Sequence, residues 1–211
     1  NLVDSAASST CEMLFTLAQQ LGWPLSPPAA QCLLTGIVTD TNCFRTSNVT
    51  PALLGMAQAL MQAGASLTII TESVLNRRPA ASFRLWGQAL SAARLQGRII
   101  WTSIPYAARL ACAATDPAND SGLVSHLISA AEADIAALFS EQEDGKIDVS
   151  LRSMPGVDVS QVALSLGGGG HAQAAGCTLR LNLSEAQARV LPALQAALER
   201  QLGAASDEAQ W

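Results

Sequence analysis

Three features of the 211-residue sequence have residue types and spacing suited to chemistry on an anionic ligand. Asp40 follows the apolar run 32–38, and a carboxylate at the end of a buried strand is well placed to bind a divalent metal. Four glycines, 167–170, precede His171; glycine lets the backbone approach a ligand closely, and successive N–H groups can form an anion-binding nest. Arg152 lies on the polar side of an alternating segment, where a guanidinium can bind phosphate through two hydrogen bonds.

Each feature also has a plain structural explanation. Asp40 can belong to a turn or cap a helix, because Asp favours both positions. The glycine run can be a flexible connector that begins at a helix C-cap, and most exposed strand arginines are merely solvated. Residue types alone therefore leave the role of all three features open.

Composition restricts the function classes. The chain has 49% hydrophobic and 14% charged residues, which is typical of a globular protein with a core. Its net charge of −5 and pI of about 4.9 argue against a duplex DNA-binding protein but allow a local basic site for a small anion. Five widely spaced cysteines without a CxxC pair indicate reduced thiols and a cytoplasmic protein. No apolar stretch reaches membrane-spanning length, so we expect no membrane partner.

The elements that must position these residues differ between the two parts of the chain. In the first part, the pattern predicts helices over 9–21 and 51–64 and a strand, buried on both faces, over 32–38. This order predicts an α/β layer with part of a parallel sheet. Residues 73–94 interrupt the pattern and read as a connection that includes a helical stretch.

The second part mixes strands and helices without a strict β-α-β order, so we expect a smaller α+β domain with a mixed sheet. The predicted strands are 98–104, 134–141, 146–153 and 176–183, and the predicted helices are 122–131, 158–166 and 184–202.

Four stretches, in this order, carry a resemblance to a known family. They are NLVDSAASSTCEML (1–14), GIVTDTNCF (36–44), VSLRS (149–153) and GGGGHAQAAGC (167–177). The chain resembles the DHH phosphoesterases with a DHH-associated C-terminal domain, of the oligoribonuclease and phosphoadenosine-phosphate phosphatase type, with the N-terminal part missing. GLVSHL and ALFSE also fit the DHH-associated domain.

The resemblance implies a domain plan and roles for residues. Residues 1–73 would be the C-terminal part of the DHH catalytic domain, 74–94 a linker, 95–203 the DHH-associated substrate-binding domain, and 204–211 a tail. Asp40 would be a catalytic metal ligand in a site for two ions, usually Mn²⁺. Residues on the substrate side would be Arg152, Gly168, Gly169, Gly170 and His171.

The resemblance also implies an activity. The family's other metal ligands would precede residue 1, and its active site lies between the two domains, so the chain alone is expected to be inactive or nearly so. The intact protein would hydrolyse short oligoribonucleotides, 3′-phosphoadenosine 5′-phosphate, or both. Two alternatives are a catalytically inactive nucleotide-binding module and a cyclic or linear dinucleotide phosphodiesterase. The partner would be short single-stranded RNA or a small nucleotide, and a homodimer is compatible with the sequence.

Overall fold

A computed structural model of the chain describes most of its residues. The described ranges are 3–4, 7–46 and 48–208. The stretch 1–14, which carries part of the resemblance, and the predicted tail 204–211 therefore lie partly outside the described residues.

The chain divides into two compact units, Asn1–Arg77 and Arg78–Trp211. The division falls inside the predicted connection, 74–94. Each unit has hydrophobic core clusters of its own.

The first unit is helical in its described part. Its elements are α1 (Thr10–Gln20), α2 (Pro27–Asp40), α3 (Pro51–Gln62), α4 (Leu67–Ile70) and a π-helical turn (Thr71–Asn76). The predicted helices over 9–21 and 51–64 are confirmed. A side chain caps the N-terminus of each helix. Ser9 accepts a hydrogen bond from the Glu12 N–H at 3.1 Å, and Thr50 accepts one from the Leu53 N–H at 3.2 Å.

The strand predicted over 32–38 is wrong, and with it the parallel sheet expected in the first unit. This run lies inside α2, which starts at the N-cap Ser26 with prolines in its first turn. A short apolar run has the same appearance in a buried helix and in a buried strand. The helical spacing shows only over the longer segment that includes its buried residues, Ala30, Leu34, Ile37 and Val38.

The second unit contains a six-stranded mixed sheet between helices. Its strands are β1 (Arg94–Gln96), β2 (Ile99–Ile104), β3 (Ile135–Glu141), β4 (Ile147–Ser153), β5 (Gly169–His171) and β6 (Ala174–Leu179). Its helices are α5 (Ala80–Ser91), α6 (Tyr106–Ala111), α7 (Leu123–Leu127), α8 (Ser160–Ser165) and α9 (Leu183–Glu208).

The strand order is β1-β2-β3-β4-β6-β5, with β2 and β3 parallel and the other neighbours antiparallel. The α/β fold class with a mixed sheet in the second unit is therefore confirmed. The helix predicted over 122–131 is shorter in the structure, where it spans Leu123–Leu127. The strand predicted over 176–183 ends at Leu179, because α9 begins soon after it.

The two faces of the sheet have different cover. On one face, β2, β3, β4 and β6 pack against α8 and α9. On the other face, α5 and α7 pack over Ala136 and Leu138 of β3. The half of this second face formed by β4, β6 and β5 carries half-buried or exposed residues. We call this half the open sheet face.

Candidate functional site

Arg152 and His171 lie in one row across the open sheet face. Arg152 on β4 is paired with Ala174 on β6, and Ala174 is paired with His171 on β5. Directly opposed residues point to the same face of a sheet, so Arg152 and His171 stand on one face with only a methyl group between them. Since neighbouring strands are about 4.8 Å apart, their backbones lie about 10 Å apart.

A second row of small residues forms the floor beside them. Ser150 on β4 is paired with Gly176 on β6, which is paired with Gly169 on β5. Their side chains are a hydroxymethyl group and two hydrogens, so nothing from this row rises between the arginine and the histidine. The result is a shallow trough with a cation on one side and an imidazole on the other.

Arg152 is a half-buried cation. Its Nη1 donates to the Leu151 carbonyl at 2.9 Å, and among the described residues no carboxylate forms an ion pair with it. Burial lowers the pKa of the Arg152 guanidinium from its ordinary value, because the charged form loses hydration. The group stays protonated at neutral pH, so its charge lacks compensation within the described protein and suits an anionic ligand.

Most glycines of the run have structural reasons. Gly167 has φ +81° just after α8. A Cβ on Gly168 would lie 2.1 Å from the Gly176 oxygen, and one on Gly170 would lie 2.5 Å from the Ala174 oxygen. Close backbone packing therefore accounts for these positions. Gly169–His171 form an edge strand, which differs from both the connector and the nest that the sequence left open.

Gly169 has no such reason. A Cβ there would meet nothing within 4 Å, and its φ lies outside the left-handed region. A side chain at this position would stand in the trough, in the same row as Gly176. Gly169 is thus the glycine of the run whose lack of a side chain keeps the trough open.

The structure places Asp40 differently from the sequence-based argument. Asp40 is the exposed last residue of α2, so it does not follow a strand, and the inference from strand ends fails for it. Its charge acts on a neighbour: the pKa of the Cys11 thiol is raised, mainly by burial and then by the negative charge of Asp40.

A strained turn follows Asp40 directly. Asn42, Cys43 and Phe44 have φ values of +47°, +60° and +61°. L-residues rarely adopt this conformation, and three in succession cost about 1–2 kcal/mol each. The turn is fixed by Thr41, whose Oγ1 donates to the Ile37 carbonyl at 2.6 Å and accepts from the Phe44 N–H at 3.0 Å.

Backbone strain is concentrated at functional sites in many proteins. The strained turn therefore favours a functional role for the segment around Asp40, and the sequence did not reveal this turn. Asn42 was its only signal, because asparagine tolerates the left-handed region.

The described residues do not form a metal centre by themselves. No group of three or more His, Cys, Asp or Glu side chains comes together within the described part of the chain. A two-metal centre needs several such ligands. Asp40 by itself does not fit a two-manganese centre.

A buried charge network holds the connection between β2 and β3. Arg109 is 1% exposed and binds Asp120 and the hydroxyl of Ser140, and that hydroxyl donates to Asp120. Ser140 is close to the end of β3, so the network anchors the segment that follows α6 to the sheet. The sequence showed no periodic or motif signal for these three residues.

Comparisons with known proteins agree with this architecture. The DHHA1 domain family matches residues 107–204, a stretch that contains both Arg152 and His171. A protein of Thermus thermophilus named bifunctional oligoribonuclease and PAP phosphatase NrnA is 36% identical over 203 residues, or 95% of this chain. The chain belongs to the DHH family.

Other DHH-family relatives extend the match. A protein of the same name from Mycoplasma genitalium is 30% identical over 179 residues, or 85% of this chain. The chain spans 60% of the length of the Thermus relative and 55% of the Mycoplasma relative.

A solved structure supports the fold. An exopolyphosphatase-related protein from Bacteroides fragilis has a TM-score of 0.86 and 24% identity, covering 92% of this chain and 58% of that one.

Among the described residues, no single helix is long and apolar enough to cross a membrane; the bent pair Pro51–Gln62 and Leu67–Val74 passes by length and composition alone.

Proposed function

We propose that this DHH-family chain is part of a metal-dependent phosphoesterase that hydrolyses short oligoribonucleotides, 3′-phosphoadenosine 5′-phosphate, or both. The named relatives support the substrate class. The observation that carries the proposal is Arg152, a half-buried cation without a carboxylate partner in the described part of the chain, beside a floor of small residues.

On this proposal the second unit binds the substrate. Arg152 binds a phosphate, and the exposed His171 donates a hydrogen bond to another of its oxygens. Gly169 keeps the trough open, while Gly168 and Gly170 bring β5 close to β6. A shallow trough about 10 Å across suits a single strand or a small nucleotide, and the net charge of −5 disfavours duplex DNA.

The catalytic metals would be Mn²⁺, and Asp40 is kept as a proposed catalytic metal ligand. Since the described residues do not supply a metal centre, we propose that a longer protein supplies the other ligands. Several large apolar side chains of the first unit are exposed, and a further segment of protein would cover such surface. They are Leu14, Trp23, Leu54, Met61 and Ile69.

A nucleotide-binding module without catalysis is the second candidate. The absence of a cluster of metal-binding side chains among the described residues favours it. Such a module would use Arg152 and His171 in the same way, but it would release its ligand unchanged.

The test compares turnover in the longer protein that contains this chain. With Mn²⁺, we expect hydrolysis of short RNA or 3′-phosphoadenosine 5′-phosphate, and Asp40→Ala should reduce kcat by at least about 100-fold because a metal ligand is lost. Glu72→Ala, which removes another exposed acid of the same unit, is the control and should not change kcat.

The two candidates give different results in this experiment. Binding of nucleotide without any product supports the module and refutes the enzyme. Turnover that is insensitive to Asp40→Ala contradicts the proposed role of Asp40. A linear dinucleotide is included as a third substrate, because the dinucleotide phosphodiesterase predicts that it is cleaved faster than the other two.

A further inference from the structure

A cavity lies at the edge of the sheet far from the open sheet face. Its volume is about 560 Å³, which is within the range of small-molecule sites. It is lined by β1, β2 and α9, and its residues Ile99 and Trp101 belong to the core on the opposite face from Arg152. The cavity and the open sheet face are thus on different faces and at different edges of one sheet.

The wall contains an aromatic ring with an unused donor. Trp101 is 8% exposed, and its Nε1–H is buried without a hydrogen-bond partner among the described residues. The guanidinium of Arg94 lies 5.3 Å from the centre of this ring and is itself exposed on the edge strand.

The helix on the other side of the cavity contains a proline. Pro192 lies inside α9 and has no N–H, so the helical hydrogen bond to the carbonyl of Ala188 cannot form. Both residues line the cavity. Ala188 and Pro192 are both exposed, so the α9 wall is open at this point.

Amide groups complete the lining. The side chains of Gln96 and Gln187 each offer a donor and an acceptor, as the edge of a nucleobase requires. Gln195 offers its acceptor oxygen, while its Nε2 donates to Glu199 at 2.7 Å. None of the ten described residues that line the cavity is acidic, and Arg94 is the cation among them. The lining therefore favours a planar ligand with hydrogen-bonding edges and a negative charge.

We propose that this edge cavity is a second binding site, for a nucleoside monophosphate. The base lies against Trp101 and the α9 wall, where its edge meets the glutamine amides. The phosphate pairs with Arg94. This site is separate from the proposed substrate site, and it serves a ligand that is bound and not cleaved.

The test is a calorimetric titration of the 211-residue protein with AMP. It uses a background with Arg152→Met and His171→Ala, which removes the anion-binding groups of the open sheet face. Adenosine and inorganic phosphate are titrated separately, and both should bind more weakly than AMP because each makes only part of the contacts. AMP should bind saturably with a Kd below about 1 mM.

Variants then assign the site. Arg94→Gln should raise the Kd for AMP about tenfold, because a charge-assisted hydrogen bond is lost. Trp101→Phe reduces the aromatic wall and should raise the Kd for AMP about threefold without lowering Tm, since an unpaired buried donor disappears from the protein. Ala188→Leu, at an exposed helix position, fills the cavity and should abolish binding even if Trp101→Phe does not fold.

The control is Arg84→Gln, which removes an exposed arginine from α5 on the other face of the sheet and should leave the Kd unchanged. No saturable AMP binding, or binding that Arg94→Gln and Ala188→Leu leave unchanged, overturns the proposal. If AMP binding fails but the protein with intact Arg152 binds 3′-phosphoadenosine 5′-phosphate, the edge site is rejected and the proposed function stands.

Discussion

Replacing Arg152 with methionine should separate ligand binding from stability. Methionine keeps most of the apolar stem but removes the charge. Because no carboxylate ion-pairs with Arg152 in the described part of the chain, its loss leaves no buried anion behind. Burial lowers the pKa of the guanidinium, so the folded environment already disfavours the charged form.

The two expected magnitudes differ in size. A charge-assisted hydrogen bond to phosphate contributes about 2–3 kcal/mol, so the Kd for 3′-phosphoadenosine 5′-phosphate should rise about 30- to 150-fold. The free energy of unfolding should stay within about 1 kcal/mol of wild type.

The assay is a calorimetric titration of the 211-residue protein, paired with urea unfolding of the same samples. Arg180→Met is the matched control, because Arg180 is exposed and lies beyond the other end of β6 from Ala174. A Kd for Arg152→Met within twofold of wild type refutes the assignment of Arg152. A large loss of stability would show that its role is structural.

Three further predictions concern glycine, the buried charge and the thiols. Gly168→Ala should destabilise the protein by about 3 kcal/mol or more in urea unfolding, because the added Cβ overlaps the backbone of β6. Gly169→Ala should leave stability intact and weaken nucleotide binding about tenfold, since the added methyl group meets no protein atom but occupies the trough. Equal stability losses in the two variants would contradict this. Arg109→Met should cost about 3–5 kcal/mol in the same measurement because it leaves Asp120 uncompensated, and a loss below 1 kcal/mol would exclude a structural role for the network. Alkylation followed by peptide mapping should show that the exposed Cys32 is modified first. Cys11 should react more slowly until the pH rises above about 9, because its raised pKa keeps it as an unreactive thiol. Equal alkylation rates of the two cysteines at pH 8 would contradict this.

The raised pKa of Cys11 also links stability to pH. A proton is held more tightly in the folded state, so this stability is fully present below the ordinary thiol pKa and is lost as the pH rises through the folded value. The unfolding midpoint of wild type should therefore fall above pH 9, and that of Cys11→Ala should fall less.

The sequence predicted the second unit better than the first. The alternation of buried and half-buried residues along β4 is visible in the letters, and the structure shows that pattern. In the first unit, an apolar run of seven residues could not distinguish a helix from a strand. The prolines and the capping Ser26 upstream were the signals that the apolar run outweighed.

The candidate site shows the same limit. Sequence separation cannot reveal that Ala174 brings Arg152 and His171 into one row, because strand pairing decides it. The sequence also could not distinguish Gly169, which faces open space, from Gly168, which packs against the backbone of Gly176. The role of Asp40 in binding a metal stays a prediction, as do a homodimer and localisation in the cytoplasm.

A titration of ¹⁵N-labelled protein with 3′-phosphoadenosine 5′-phosphate tests the central claim most directly. The open sheet face predicts that the amide signals of Gly169, His171 and Ala174 shift together and saturate with one Kd, and that Arg152→Met removes these shifts. Saturating shifts confined to other parts of the protein, or shifts at these three residues that persist in Arg152→Met, would contradict it.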